Sequence, residues 1–458
     1  MDHWVVTGLG FYMSAAVLSY VALLFLSFRA DHLYQRSSSR RTMRVQALSR
    51  GVDAPAVVIV APAKNEEAII GDSVDALLGI AYPNLSLLVV DDGSTDRTFA
   101  ILESKFRLVK LPTVPKQTLR HKPITGVWKS LSEPRLTVVQ KVASGGSKGC
   151  ANNAALEVVT APLVFATDID SIVEPDAVTK MVARMEETGA VAIGCPLRPW
   201  NGCTVRDGIV QTKLPRNYWA TSQVVEYLRT FQLRHGWACL GMLSNISGAA
   251  GLFRVEALRA IGGYRPDTTA EDLASTFAFH LADLRIAFEP STNVYTQVPE
   301  TWQSLKSQRK RWARGLFDIL WDSRRILGVT HGRYALLAAW FWLFELVEPF
   351  VEVAGLAVIT RQMIIHDLSP WVWAGLFACL FLTAMLSAAS ILQTERLYGR
   401  FSTADTLKIV LLSTIEIAPF KIPLGLGWRI AGTFAYLTGN TTWEALPRRQ
   451  FHEQEASI

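Results

Sequence analysis

Hydrophobic and polar positions follow two regimes along this chain. Residues 56–61 (AVVIVA) and 85–90 (LSLLVV) are short apolar, β-branched runs, and the segment from Glu66 to Leu78 between them carries helical spacing. That alternation predicts a βαβ unit with a parallel sheet. A third run, 163–166, follows a helical stretch opening after Ser147, so the pattern of a doubly wound α/β fold continues. The other regime is longer and more apolar. No charged side chain occurs from Trp4 to Phe28, and a helix of that length, at about 1.5 Å per residue, exceeds the roughly 30 Å hydrocarbon layer. A second apolar zone runs from Tyr334 past Val358, and a third, 368–394, has no charge at all; both are expected to span. A fourth, 407–437, contains Glu416, Pro419, Lys421, Pro423 and Arg429, which suits a re-entrant or interfacial segment better than a lipid-exposed one.

Composition agrees with a membrane chain. Of 458 residues, 50% are hydrophobic and only 19% charged, which excludes a disordered chain and a small disulfide scaffold. Met1 to Thr7 holds no Lys or Arg, so the first apolar helix reads as a retained anchor and not a signal peptide. Arg29, Arg36, Arg40, Arg41, Arg44 and Arg50 follow it, with Asp31 the only acid among them, which places the next segment in the cytoplasm. The cysteines at 150, 195, 203, 239 and 379 lack metal-type spacing and read as reduced structural thiols.

Ligands of doubly wound sheets bind beyond the carboxyl ends of the strands, and acidic clusters stand at two such ends. Asp91-Asp92-Gly93-Ser94-Thr95-Asp96 reads either as an Asx-type turn capping the next helix or as a ligand site. Asp168-Ile169-Asp170 offers two carboxylates one residue apart, the hard-oxygen chemistry of magnesium or manganese bound together with a diphosphate. Between them, Gly145-Gly146-Ser147-Lys148-Gly149 is either a flexible loop opening a helix or a set of amides and one ammonium facing phosphate. Neither GxxxxGKS/T nor GxGxxG occurs. The small-residue segment 247–254 admits close approach to backbone. Glu271-Asp272 opens a helix over 273–281, where acids serve as dipole caps or as chemistry. Lys306, Arg309, Lys310, Arg311 and Arg314 lie among Trp302, Leu305, Trp312, Leu316 and Leu320 at near-helical spacing, a basic amphipathic helix for a membrane face. No aromatic readout module accompanies it, so no nucleic-acid partner is expected.

Taken in order, Pro62-Ala63-Lys64-Asn65-Glu66, Asp91-Asp92-Gly93-Ser94, Asp168-Ile169-Asp170, Glu271-Asp272 and Gln308-x-x-Arg311-Trp312 resemble the membrane-bound family 2 glycosyltransferases, which include cellulose, hyaluronan and poly-N-acetylglucosamine synthases. The resemblance implies a cytosolic GT-A domain, Rossmann-like with a mostly parallel sheet, joined to transmembrane and interfacial helices. It also implies inverting sugar transfer from a UDP-linked donor. Ala63, Glu66, Asp91 and Asp92 would line the base and ribose. Asp168 and Asp170 would hold a divalent metal (Mg or Mn), with Asp168, Lys148, Gln308 and Arg311 on the donor side. Asp272 would be the general base, while Glu271 and Trp312 would meet the acceptor. Two departures stand out: a Pro-rich, basic insertion over 105–141, expected as a lipid-facing or partner-binding loop, and an altered segment at 147–154 (SKGCANNA).

The expected organisation is an anchor at 1–30, a basic juxtamembrane linker at 31–53, the GT-A domain at 54–298, an interfacial helix region at 299–330, transmembrane or re-entrant helices at 331–440 and a tail at 441–458. The chain would sit multi-pass in the inner or plasma membrane with its catalytic domain cytoplasmic, in contact with lipids and open to a partner subunit. The expected product is a growing polysaccharide, made processively and coupled to export; the alternative is a glycolipid made by one transfer. Glu345, Glu348 and Glu352 share one helix face. They read either as the lining of a sugar passage, with Trp340 and Trp342, or as a packing face matched by Arg or backbone partners.

Overall fold

The computed structural model describes residues 2–206, 209–327, 332–365, 370–415 and 426–438. Its contacts divide the chain into two units. One joins Leu33–Thr212 to Leu243–Val298, and the other joins Met1–His32, Lys213–Met242 and Pro299–Leu446.

The first unit is built on a nine-stranded sheet. From one edge to the other its strands are Ile286–Phe288, Ala192–Gly194, Gly251–Arg254, Leu163–Ala166, Val57–Ala63, Leu85–Asp91, Leu136–Lys141, Ile124–Ser130 and Leu108–Lys110. Val57–Ala63 lies parallel to both of its neighbours. Its side chains are almost all buried, as expected for a central parallel strand covered on both faces. Gly251–Arg254 runs antiparallel between Leu163–Ala166 and Ala192–Gly194. The helix expected from Glu66 begins only at Ile70, because Asn65 takes a left-handed conformation (φ 56°) and the chain first completes a turn.

The insertion at 105–141 is no simple loop. Leu108–Lys110, Ile124–Ser130 and Leu136–Lys141 extend the sheet, the last pairing in parallel with Leu85–Asp91. Val127, Leu136, Val138 and Val139 are buried by this pairing. The remaining arch is pinned by Glu157, whose Oε1 accepts the amides of Thr118 (2.5 Å) and Leu119 (2.6 Å) while Oε2 accepts the Thr118 hydroxyl (2.8 Å). The expected linker is also structured. Ser38–Ser49 is a helix whose Leu48 enters the sheet core. Its Arg41 and Arg44 pair with Glu187 (3.3 Å) and Glu186 (2.6 Å), so these two arginines are matched by protein acids.

The second unit is helical. Thr7–Arg36 and Val372–Tyr398 are long and apolar enough to cross a membrane. The second apolar zone, also expected to span, is a composite of Arg333–Phe341, a π-helical stretch Trp342–Val347 and Glu348–Ile364. It is not among those two helices. The fourth zone contributes Thr403–Ile415 and Leu426–Leu437; Glu416, Pro419, Lys421 and Pro423 lie outside the described residues, as do Leu368 and the 441–458 tail. Tyr218–Cys239 belongs to this unit too, which interrupts the expected 54–298 body. Its Val224, Val225 and Leu228 pack with Ile391 and Ile409.

Asp31, fully buried, ties three helices of this unit together. Its carboxylate accepts hydrogen bonds from Gln232 (2.9 Å), Gln393 (3.0 Å) and Tyr398 (2.9 Å) and lies 3.1 Å from the His235 imidazole. Arg429 reaches Glu348 (3.1 Å) and Glu345 (3.4 Å). Trp340 donates to Ser19 (3.1 Å) and packs edge-on against Tyr20 and Trp237. Of the two readings of the glutamate face, these contacts fit a packing face with an arginine partner.

Candidate active site

The carboxyl ends of the two central strands are laced together. Ala63 pairs in register with Asp91, and the Asp92 amide donates to the Ala63 carbonyl (2.8 Å). Asn65 donates its amide to Ser94 Oγ (3.0 Å) and accepts the Thr95 amide at Oδ1 (2.8 Å). Gly93 has φ 70°, and a Cβ there would stand 2.6 Å from Ala143 Cα, so only glycine fits. Of the acids in this turn, Asp91 accepts the Ser94 amide (3.0 Å), and Asp96 accepts the Thr98 amide (2.9 Å) and hydroxyl (2.6 Å). Both contacts shape the turn that precedes the helix Thr98–Phe106. Burial pushes the Asp91 carboxyl above its ordinary value, against hydrogen bonds from Ser94 and Gln140. Glu66 is buried, its amide donating to Thr98 Oγ1 (2.7 Å).

Asp92 differs from its neighbours. Its carboxylate is paired with the ammonium of Lys141, a wholly buried side chain, and accepts the Ser144 hydroxyl (2.6 Å). Lys141 also lies 3.2 Å from Cys150 Sγ. Sequence reasoning passed over Lys141, although it ends a short apolar run (LTVVQK), the same signal that singled out Asp91 and Asp168. All five cysteines are free.

The reversed strand assembles the rest. Gly251 pairs with Ala166, so the loop entering Gly251–Arg254 arrives where Leu163–Ala166 ends. Thr167 Oγ1 accordingly donates to the Ala249 carbonyl (3.0 Å). Lys148 opens the helix Lys148–Val158. Its Nζ donates to Asp168 Oδ1 (2.5 Å) and to the Gly248 carbonyl (2.8 Å). The Gly248 amide donates to Asp272 Oδ2 (3.1 Å), which also accepts Asn245 Nδ2 (3.3 Å). Asp168 and Asp272, 104 positions apart in the chain, thus hang on one residue of one loop. Glu271 and Asp272 open the helix Glu271–Leu281. At Gly149 a Cβ would stand 2.7 Å from the Arg265 carbonyl and 3.2 Å from Glu271 Cβ, so glycine allows the two helix starts to approach.

Ile169, between Asp168 and Asp170, is buried in the core, and the two acids are half-exposed on the turn that follows the strand. Among the described residues no three His, Cys, Asp or Glu side chains form a metal cluster. A pair of hard carboxylates nevertheless fits magnesium or manganese, which bind through one or two carboxylates and complete their shell with phosphate and water. Tyr264, which sequence reasoning missed, has a buried hydroxyl without a hydrogen-bond partner. Burial, then the charges of Glu271 and Asp272, push its phenol well up. A lone Tyr in a Gly-Gly-Tyr-Arg-Pro turn gave no signal for this.

Gln308, Arg311 and Trp312 belong to the helical unit, on Trp302–Asp322. The expected amphipathic helix is there, but its buried face holds Leu305, Gln308, Ala313, Ile319 and Leu320, while Trp312 is exposed beneath the Arg309 guanidinium (4.2 Å). This face packs on Leu426–Leu437, where Trp428 meets Trp302 and Gly432 lies against Lys310 and Ala313.

The chain belongs to the glycosyl transferase family group 2, whose model matches residues 163–391. The model of glycosyl transferase family 2 matches residues 58–262, the segment holding the strand-end acids. A poly-beta-1,6-N-acetyl-D-glucosamine synthase of Staphylococcus epidermidis is 24% identical over 264 residues, 56% of this chain and 53% of that protein. A beta-monoglucosyldiacylglycerol synthase of Nostoc is 28% identical over 268 residues, 57% of this chain and 49% of that one. The chain spans about half the length of the curated relatives it matches. A mannosyltransferase from Pyrobaculum calidifontis, solved with GDP-Man and Mn2+, is alike in fold, with a TM-score of 0.50 at 18% identity over 93% of this chain and 99% of that one. The sheet unit has the expected GT-A-like architecture, a mostly parallel mixed sheet flanked by helices.

Proposed function

We propose that this chain is a membrane-embedded inverting hexosyltransferase that passes sugar from a UDP-linked donor to a growing polysaccharide, with its sheet unit on the cytoplasmic side of the inner or plasma membrane. The observation that carries the reading is the shared loop: Gly248 takes Lys148, and with it Asp168, on its carbonyl and Asp272 on its amide. A sugar hydroxyl is a poor nucleophile and needs a carboxylate to take its proton as it attacks the anomeric carbon. Asp272 is that base. Gly248, Asn245 and its own helix start at Leu273 donate to it, which fixes the direction of its carboxylate.

On the donor side, Ala63, Glu66, Asp91 and Asp92 line the base and ribose, and Asp92 brings Lys141 with it. Asp168 and Asp170 would hold a divalent magnesium or manganese ion, which supplies positive charge to the departing diphosphate. Lys148 adds its ammonium there. For Gln308, Arg311 and Trp312 the assignments rest on the motif: Gln308 and Arg311 for the donor, Trp312 for the acceptor sugar together with Glu271. Thr7–Arg36 and Val372–Tyr398, each long and apolar enough to cross a membrane, support a multi-pass arrangement. A partner subunit is compatible with this reading; nucleic acid has no place in it.

A second reading, one sugar added to a lipid, is favoured by the beta-monoglucosyldiacylglycerol synthases, which match this chain at 27% and 28% identity. The test is to give the purified protein in lipid, with magnesium or manganese, a panel of UDP-sugars and to size the product. Polymer growing from one donor supports the first reading, and a single-sugar lipid replaces it with the second. Absence of both transfer and UDP release with every donor overturns the proposal.

A further inference from the structure

Resting on that donor-site reading, we infer that Lys148 is an exchangeable counter-ion of Asp168, which holds the metal carboxylate closed until a nucleotide diphosphate arrives. The Lys148 ammonium donates to Asp168 Oδ1 at 2.5 Å and to the Gly248 carbonyl at 2.8 Å. It therefore sits on an oxygen that a divalent cation would need. Asp168, Glu271 and Asp272 all approach Gly248, and one ammonium offsets part of the repulsion among them.

The pair is built to exchange. Asp168 has a 40% exposed side chain and Lys148 an 18% exposed one, so neither is locked in the core. Lys148 is also the first residue of its helix, where backbone amides and the dipole favour an incoming anion. A diphosphate there gives Lys148 a second anionic partner. When the ammonium turns to it, Asp168 would be free to hold a divalent cation, which would supply positive charge beside the diphosphate. Metal alone must displace Lys148 without that compensation. Metal and nucleotide should therefore bind cooperatively, each raising the affinity of the other by the same factor.

The test measures Mn2+ binding to the full chain in detergent or lipid, by the electron-paramagnetic signal of free Mn2+, with and without UDP. Wild type should bind Mn2+ weakly alone and more tightly with UDP. Lys148→Met, with no charge to displace, should bind Mn2+ alone about tenfold more tightly than wild type, within the range usual for coupled sites. Lys148→Arg, which keeps the pair, should stay near wild type. Lys148→Gln carries the same expectation as Lys148→Met should the latter fail to fold. If neutral variants that still bind Mn2+ with UDP hold Mn2+ alone no better than wild type, the exchange is wrong and the donor-site reading survives. If wild type binds Mn2+ no better with UDP than without it, the donor-site reading falls, and the exchange with it.

Discussion

Asp31 and Asp168 are carboxylates in opposite circumstances. Asp31, in the helical unit, is buried and surrounded by Gln232, His235, Gln393 and Tyr398 from two other helices. Asp168, in the sheet unit, is two-fifths exposed with the ammonium of Lys148 against one oxygen. Uncovering one partner of a buried, hydrogen-bonded charge costs about 3–5 kcal/mol. Separating a pair that water reaches costs roughly 1 kcal/mol or less. The first arrangement therefore serves architecture, and the second is cheap enough to open during a reaction cycle. Asp272 is intermediate, held by three neutral donors and leaving a lone pair for an acceptor hydroxyl.

Five substitutions or conditions press on this contrast. Asp272→Asn should lower turnover by about 10²–10⁴-fold with the melting temperature and UDP binding unchanged; radiolabelled transfer measures it, and near-normal turnover would remove Asp272 as base. Asp31→Ala should cost about 3–5 kcal/mol of stability in detergent unfolding, while folded molecules keep wild-type UDP binding. Loss of UDP binding without loss of stability would reverse the roles given to the two acids. Gly149→Ala should cost about 1–3 kcal/mol, because the new methyl meets the Arg265 carbonyl and pushes Glu271.

The smallest effect belongs to the arch at Glu157. Burial raises that carboxyl, but the Leu119 and Thr118 amides and the Thr118 hydroxyl outweigh it and hold the group below its ordinary value. A depressed carboxylate contributes stability above the ordinary glutamate range and loses it as pH falls through the folded-state value. Acid should thus speed hydrogen exchange at Thr118 and Leu119, relative to the intrinsic rate at each pH, with about 1 kcal/mol of lost protection. Glu157→Gln should show the same loss at neutral pH.

Much of the sheet was legible because central parallel strands need continuous apolar runs, as in residues 56–61, 85–90 and 163–166, and the acids just beyond them mark the ligand end. The strands at 124–130 and 136–141 were hidden by prolines and lysines on the arch between them and Lys105, although Leu136, Val138 and Val139 follow the rule. Asp168 and Asp272 were named from short motifs, but the link between them was not legible. It depends on Gly251–Arg254 running backwards, and nothing in GLFR states a direction. Asn245 and Tyr264 were missed because single polar residues in irregular segments acquire meaning only from tertiary neighbours.

That reversed strand also governs the order in which the protein can be made. Val57–Ala63 finds its neighbour Leu85–Asp91 within a few dozen residues, but the partners of Ala192–Gly194 among the described residues, Gly251–Arg254 and Ile286–Phe288, both come later in the chain. During synthesis the strand leaves the ribosome with both edges unpaired and waits for Tyr218–Cys239 to be made before any partner exists. A ribosome pausing between these points leaves a nascent chain with open backbone donors and acceptors, the state in which chaperones and quality-control proteases find their targets.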